Sequence, residues 1–205
     1  MSRRRADAER RIAEAALEAF ADRGYNATTT SEIARQAGVA EGTIFRYYPT
    51  KKDLLISVVA PVVAQFLAPM VRRNLEAILT APHETPESFL RAVLADRLAL
   101  VRDHPSIMRV LAQEIPINPE LRDQFRTAIF DHLFPLALAA IARFQRAGQI
   151  AADLAPATIA RIIGSTFAGY VVARVFLAPD GPWDDAREVD DMVRVLMRGL
   201  TPPEN

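Results

Sequence analysis

The stretch that decides the fold is Thr28 to Lys51, TTTSEIARQAGVAEGTIFRYYPTK. Thr29 and Glu32 have the spacing of a capping box, in which a hydroxyl and a carboxylate three residues apart each bind the other's backbone amide. Gly38 can take the left-handed conformation that a tight turn needs. The stretch therefore predicts two short helices around a glycine turn. This is a helix-turn-helix, which places its second helix in the major groove of DNA.

The second helix of this motif carries side chains that can recognise DNA. Arg46 is the best candidate, because a guanidinium can bond bidentately to O6 and N7 of guanine, a contact worth about 1–3 kcal/mol. Ile44 and Tyr48 are expected in the core. Lys51 begins the next helix, where its charge and the helix N-terminus can bind one phosphate together. The alternatives are a solvated charge for Arg46, and a cap without phosphate contact for Thr29.

The segment closely resembles the DNA-binding domain of the TetR family of bacterial transcriptional regulators. The resemblance runs through about the first 55 residues, from an Ala-rich first helix ending in FADRGY to ATTTSEIARQAGVAEGTIFRYYPTKKDLL. It implies a helix-turn-helix DNA-binding domain over residues 1–52 and a helical effector-binding and dimerisation domain over residues 53–205. It also implies DNA contacts from six side chains: Thr29, Thr43, Phe45, Arg46, Tyr47 and Lys51.

Three positions depart from the family's pattern. Ala40 stands where Ser or Thr is usual and gives up a cap worth about 1 kcal/mol. Phe45 keeps an aromatic ring but lacks the hydroxyl of the usual Tyr. Glu41 repels phosphate, although it can accept a hydrogen bond from a cytosine amino group, and Gly42 beside it lets the backbone approach DNA closely. The basic segment Arg3–Arg5 can add affinity along the DNA backbone or in the minor groove, or it is a solvated tail.

Composition limits the class of protein. The chain has 205 residues, half of them apolar, no cysteine and a net charge of zero. Residues 1–52 carry a net +3 and the remainder a net −3, which is consistent with DNA binding by the first part. We expect no membrane span, because no apolar run approaches about 18 residues. We expect no secretory signal either, and the absence of thiols fits a cytoplasmic protein.

Helical periodicity extends along the whole chain, and no segment makes a credible strand. The fold class is therefore all-α, with about nine helices, as the resemblance also implies. Pro61, Pro69 and Pro135 fall inside predicted helices and are expected to bend them. Outside the helix-turn-helix, helices are predicted over residues 6–23, 51–80, 87–104, 105–115, 120–147, 156–178 and 184–199.

Two helical faces near the C-terminus suit a four-helix interface between subunits. The alternative for both faces is packing within one chain. By resemblance we favour a homodimer, which would set two recognition helices about 34–36 Å apart on a near-palindromic site. The faces comprise Ala160, Gly164, Ala168 and Val172 on one helix, and Val189, Val193, Leu196, Met197 and Leu200 on the last.

Eight of the ten phenylalanines lie beyond residue 52, where aromatic and sulfur side chains can line an effector pocket among bent helices. Ordinary core packing is the alternative for each of them. Gln113 and Glu114 can supply polar contacts. The expected effector is small and largely apolar, with a polar or cationic end. The predicted lining comprises Phe66, Met70, Phe89, Met108, Gln113, Phe125, Ile129, Phe134, Phe167 and Tyr170.

Enzymatic interpretations find little support. His83, His104 and His132 are scattered without metal-ligand spacing, and no GxSxG elbow or phosphate-binding glycine loop is present. We expect no metal and no cofactor. The sequence therefore predicts a DNA-binding regulator, most simply a homodimeric repressor that a small ligand releases. The alternatives are an activator of the same fold, and a helical small-molecule carrier or enzyme with a vestigial DNA-binding domain.

Overall fold

The computed structural model describes residues 3–201, without the side chains of Arg3, Arg4, Val63, Phe66 and Ala128. Over this range the chain forms eleven α-helices and three π-helical segments and no strand, which confirms the all-α class. Each π-helical segment follows an α-helix directly. When helices joined through such segments are counted together, the described range has nine helical rods, in agreement with the predicted number.

The chain divides into two compact units. The first comprises Met1–Ala68 and Ser106–Phe125, and the second comprises Pro69–Pro105 and Arg126–Asn205. The first unit extends beyond residue 52, where the sequence places the domain boundary, because α1 packs on α4 and α4 packs on α8. Its elements are α1 Arg3–Ala27, α2 Thr30–Ala37, α3 Glu41–Tyr47, α4 Lys51–Pro61, the π-helical segment Val62–Leu67, α7 Pro105–Glu114 and α8 Pro119–Phe125.

Local signals set the helix ends of the first unit. Thr29 caps α2 and Thr50 caps α4, each through a complete capping box with the acidic residue three positions on. Gly38 ends α2 in the left-handed conformation, with φ of 65°. Gly24, where the sequence ends the first helix, has φ of 79° and interrupts the helical geometry of α1. The predicted starts of α2 and α4 are therefore confirmed, whereas α1 begins at Arg3, before the predicted Ala6.

The core of the first unit holds the helix-turn-helix in place. Ile12 and Phe20 of α1, Ile33 of α2, Ile44 of α3 and Leu54 of α4 are all at most 1% exposed. Full burial of side chains of this size contributes about 1.5–3 kcal/mol each. Buried apolar residues on all four helices thus fix the orientation of α2 and α3 on α1 and α4.

The second unit is a helical bundle in which α11 packs against α6 and α10 packs against both α9 and α6. Leu90, Leu94 and Leu98 of α6 form the centre of its core with Ile141 of α9 and Ile159 of α10. Its elements are α5 Ala68–Thr80, α6 Pro86–Asp103, the π-helical segment Arg126–Phe130, α9 Asp131–Arg146, α10 Pro156–Val172, the π-helical segment Ala173–Leu177 and α11 Asp185–Leu200.

The predicted bends coincide with irregular helix. Pro61 is the last residue of α4, and the π-helical segment Val62–Leu67 fills the space before Pro69. Pro135 lies in the first turns of α9, just after the π-helical segment Arg126–Phe130. Proline cannot donate the hydrogen bond of an α-helix, so a wider turn beside it keeps neighbouring carbonyls bonded.

One prediction about apolar runs needs correction. Within the described residues, Pro156–Leu177 is long and apolar enough to cross a bilayer by length and composition, and most of it is not buried by the rest of the chain. No uninterrupted run revealed it, because Arg161 and Arg174 divide the segment. An apolar helix that its own chain leaves largely uncovered is also what a subunit interface requires.

Candidate nucleic-acid interface

The outward face of α3 carries Glu41, Gly42, Phe45 and Arg46, all of them exposed. Phe45 is 44% exposed, an unusual position for a large aromatic ring, whereas Ile44 next to it is fully buried. A Cβ built at Gly42 meets no atom within 4 Å, so this glycine is not required by packing inside the protein. The short helix therefore presents one acidic, one apolar and one basic side chain around an open backbone.

Arg46 is held in place by Tyr47. The Arg46 Nη2 donates to the Tyr47 hydroxyl at 3.2 Å, and the guanidinium lies 5.1 Å from the centre of the Tyr47 ring. Arg5, near the start of α1, lies 5.4 Å from the same ring. Cation–π contacts at exposed sites contribute about 0.5–1 kcal/mol each. Two arginines on one ring place concentrated positive charge beside the recognition helix.

The N-terminus of α2 lies beside that of α3. Thr29 accepts from the Glu32 backbone amide at 3.2 Å and donates its hydroxyl to Glu32 at 2.9 Å. The Thr29 backbone amide also donates to Glu32 Oε2 at 3.0 Å, and this bond, followed by the bond from the hydroxyl, lowers the pKa of the Glu32 carboxyl. Thr30, the next residue, donates to Glu41 Oε1 at 2.6 Å and so ties α2 to α3. Thr29 is exposed and engaged in its cap, while Glu41 is fixed at the rim of the recognition face.

Lys51 is oriented differently from the prediction. Its ammonium lies 4.3 Å from the centre of the Tyr25 ring and 3.5 Å from the carbonyl oxygen of Asn26, so it folds back onto the end of α1. Burial lowers the pKa of Lys51, and the charge of Glu114 opposes that shift. A phosphate contact from Lys51 therefore requires its side chain to leave Tyr25.

Glu114 of α7 is the acidic neighbour of this lysine. It is only 4% exposed, and burial raises the pKa of its carboxyl, while Lys51 lowers it. Gln113 lies against Gly24, with its Oε1 3.1 Å from the position of a Cβ there. Both polar residues that the sequence assigns to an effector pocket thus lie within the first unit, beside the DNA-binding helices.

The other residues predicted to line a pocket are divided between the units. Met108 and Phe125 belong to the first, while the side chain of Phe66 lies outside the described residues. Six more belong to the second unit, where several have packing roles instead: Met70, Phe89, Ile129, Phe134, Phe167 and Tyr170.

Phe89 and Tyr170 illustrate the correction. Phe89 packs against His83 and Phe144, with ring centroids 5.5 Å and 5.4 Å away, and is 3% exposed. Tyr170 donates its hydroxyl to Asp185 Oδ1 at 2.9 Å and so joins α10 to α11. Phe89 is therefore a core residue and Tyr170 joins two helices. Ordinary packing of this kind is the alternative to pocket lining that the sequence left open.

A cleft of about 280 Å³ does lie in the second unit, between α6 and α11, and none of the ten predicted residues lines it. Apolar side chains such as Leu98 line part of the cleft, and the charged side chains that line it form ion pairs with one another. Arg91 bonds Asp190, and Arg102 lies 3.5 Å from Asp185. Since these charges already have partners, nothing in the cleft demands a ligand.

The two predicted dimer faces have different surroundings. On α10, Ala160 is half-buried and Gly164, Ala168 and Val172 are exposed, so this stripe is available. On α11 the predicted residues are at most 9% exposed, because α11 packs on α6 inside the second unit. These buried residues are not available to a second subunit. They are Val189, Val193, Leu196, Met197 and Leu200.

A different stripe of α11 faces outward. Val195 is 70% exposed, and Met192 and Gly199 lie three and four residues from it on the same side. Ile162 of α10 is also exposed, at 48%. Each of the two helices therefore exposes apolar residues within the described part of the second unit.

Sequence reasoning missed the contacts between distant positions. Thr30 and Glu41 are eleven residues apart, and Lys51 meets Tyr25 and Asn26 of another helix. Such pairs have no local spacing signal. Among residues 3–201, moreover, no three His, Asp or Glu side chains come together as a metal site would require.

The fold and this surface define a class, the helix-turn-helix DNA-binding proteins. The sequence model of bacterial regulatory proteins of the tetR family matches residues 12–58, which contain all of α2 and α3. Residues 12–58 therefore have the DNA-binding domain of the TetR family, which confirms the resemblance seen in residues Thr28–Lys51.

Relatives and solved structures agree with this assignment. The chain is 45% identical over 123 residues to the fatty acid metabolism regulator protein of Bacillus subtilis, an alignment that spans 60% of each chain. The structure of FadR from Bacillus subtilis in complex with stearoyl-CoA is similar at 25% identity, covering 93% of this chain and 98% of that one, with a TM-score of 0.67. AibR in complex with isovaleryl coenzyme A and operator DNA shares the fold at 20% identity, 93% and 98% coverage and a TM-score of 0.69.

Proposed function

We propose that this protein is a sequence-specific DNA-binding transcriptional regulator of the bacterial cytoplasm, acting as a repressor and not as an enzyme. The observation that carries the proposal is the exposed face of α3, where Phe45 and Arg46 project from a helix anchored by the fully buried Ile44. An outward aromatic ring beside a stacked guanidinium suits base edges in a major groove. Arg5, on the same Tyr47 ring, extends the basic surface toward the DNA backbone.

We propose that the active species is a homodimer. The support for this proposal is the exposed apolar side of α10, which includes Gly164, Ala168 and Val172, and the exposed Val195 of α11. Small residues let helices of two subunits approach closely, and the exposed apolar residues gain burial. Two-fold symmetry would present two copies of α3 to a near-palindromic operator, with half-site centres about 34–36 Å apart.

We propose a long-chain acyl-CoA thioester as the effector. The support is the 45% identity to a fatty acid metabolism regulator and the likeness to a regulator that binds stearoyl-CoA. Such a ligand has the apolar body that the sequence predicts, but an anionic end instead of a cationic one.

In the proposed mechanism the effector shifts an equilibrium between two conformations. The helical stretch from Lys51 to Thr80 follows the DNA-binding helices in the chain, and Pro61 and the π-helical segment Val62–Leu67 lie inside it. Segments of π-helix are frequent at functional sites, so we propose this stretch as the part that moves. The ligand weakens DNA binding only as far as it prefers the released conformation.

The experiment is a DNA-binding titration at several salt concentrations, with and without stearoyl-CoA. A repressor of this kind loses affinity steeply as salt competes for phosphate contacts, and it releases its operator when stearoyl-CoA is added. Coenzyme A alone and stearate alone serve as controls for the two parts of the ligand. DNA binding that stearoyl-CoA leaves unchanged would refute the proposed effector. Absence of DNA binding under all conditions would favour the carrier alternative.

A further inference from the structure

We infer that Glu41 determines sequence specificity by accepting a hydrogen bond from the exocyclic amino group of a cytosine, and that Thr30 positions it. The inference rests on the proposed DNA binding and goes further, because it assigns one base to one side chain. It starts from a contact inside the protein. The Thr30 hydroxyl donates to Glu41 Oε1 at 2.6 Å, joining the first residue of α2 to the first residue of α3.

The bond to Thr30 leaves most of the carboxylate's bonding capacity unused. An ionised carboxylate has about four acceptor sites, and Thr30 occupies one of them. Glu41 is exposed, and no Lys or Arg side chain within residues 5–201 forms an ion pair with it. When α3 enters the groove, the Glu41 carboxylate loses bound water. It then needs a hydrogen-bond donor from the DNA, because an unpaired buried acceptor costs free energy.

The chemistry of the major groove narrows the donor to one base. Guanine presents N7 and O6 there and thymine presents O4, and all three are acceptors that repel a carboxylate. Adenine offers its N6 amino group, but the acceptor N7 lies beside it. Cytosine offers its N4 amino group with no acceptor on the same base, so that a carboxylate can approach it from the side away from the paired guanine O6. Phosphate oxygens are excluded by like charge. Cytosine is therefore the base that Glu41 selects.

The neighbouring side chains complete a pattern of recognition. Phe45 lies four residues from Glu41 on the same face and offers apolar contact to a thymine methyl. Arg46 offers only donors and selects guanine. Glu41 and Arg46 are separated by about 7.5 Å along the helix, from the rise of about 1.5 Å per residue. A half-site is thus expected to hold its cytosine and its guanine within a few base pairs of each other.

The test is selection from randomised duplex DNA with four proteins: wild type, Glu41→Gln, Thr30→Val and Thr30→Ser. Wild type is expected to enrich cytosine at one position of each half-site. Glu41→Gln changes that position to adenine, because a carboxamide can bond both N6 and N7. Binding of the original site falls about five- to tenfold, the lower part of the range for one base contact. Glu87→Gln, an exposed substitution on α6, is the matched control and leaves the selected site unchanged.

Thr30 is tested by the same selection. Thr30→Val keeps the shape of the side chain but removes the hydroxyl donor, so the preference for cytosine over the other bases is expected to be weaker than in wild type. Thr30→Ser keeps a hydroxyl donor and is expected to show the wild-type preference. Circular dichroism checks that all variants are folded.

Four results would overturn the inference or a part of it. Glu41→Gln could select the wild-type site unchanged, or it could strengthen binding to every sequence equally, which would make Glu41 a general electrostatic repulsion. Full cytosine preference in Thr30→Val would overturn the positioning role. If wild type enriches no sequence, the proposed function fails, and this inference fails with it.

Discussion

Ile44 and Phe45 are adjacent on α3, and replacing each by alanine should have opposite consequences. Ile44 is completely buried, whereas Phe45 is 44% exposed. Ile44→Ala is expected to lower the stability of the first unit and to leave the exposed side chains of α3 unchanged. Phe45→Ala is expected to weaken DNA binding with little change in stability.

The magnitude for Ile44→Ala follows from burial. The change removes three carbons, about 2.4 kcal/mol at 0.8 kcal/mol each, and the cavity left behind brings the expected cost to about 2–5 kcal/mol. The helix cannot compensate, because α3 has only seven residues and Ala40 forms no side-chain cap. For Phe45→Ala we expect a loss of less than about 1 kcal/mol in stability, with a loss of about fivefold or more in DNA affinity.

Urea unfolding followed by circular dichroism measures the free energy of unfolding of each variant. Amide hydrogen exchange over residues 30–47 localises the change to the helix-turn-helix, and titration with the selected operator measures affinity. The reasoning is refuted if Ile44→Ala costs less than about 1 kcal/mol, or if Phe45→Ala binds the operator as wild type does. Either result would mean that α3 presents a different face.

Three further changes test other parts of the structure. Ala40→Ser adds the missing cap of α3, and we expect a gain of about 1 kcal/mol and a rise of about 2–4 °C in Tm by calorimetry. Glu114→Gln should stabilise the protein at pH 8 more than at pH 5. Burial raises the pKa of Glu114, so the stability that its proton contributes is present at low pH and lost as the pH rises through that pKa. Ile162→Arg places a charge on the uncovered face of α10, and light scattering should show a monomer that no longer binds the operator.

Each of these changes has a control and a contradicting result. Thr50→Ala, which removes an existing capping box, should lower Tm by an amount similar to the gain from Ala40→Ser. Equal effects of Glu114→Gln at both pH values would mean that pairing with Lys51 balances the burial of the carboxylate. Ile117→Arg, an exposed apolar position in the first unit, should leave the oligomeric state unchanged. A dimeric Ile162→Arg variant would place the interface elsewhere.

The parts of the fold that depend on neighbouring residues could be predicted from the sequence. Thr29, Thr50 and Thr85 each cap a helix through an amide three positions on, a distance over which residue types alone decide the bond. Gly38 takes the left-handed turn for the same local reason. The outward position of Arg46 follows from the helical period once Ile44 is placed inward.

The parts that depend on distant residues could not be predicted. Periodicity shows that one face of α11 is buried, but not that α6 covers it instead of a second subunit. The position of Lys51 depends on Tyr25, on the Asn26 carbonyl and on Glu114, which lie on other elements. The hydrogen bond from Thr30 to Glu41 likewise requires α2 and α3 to be in place before the pair can be recognised.

The central claim is that α3 recognises a DNA sequence, and selection from randomised duplex DNA at moderate salt by wild type and Arg46→Ala tests it most directly. Wild type is expected to enrich a near-palindrome with half-sites one helical turn or a multiple of it apart, and Arg46→Ala to lose the preference for guanine at one symmetric pair of positions. An Arg46→Ala variant that enriches the same sequence with the same preference, or a wild type that enriches none, would contradict it.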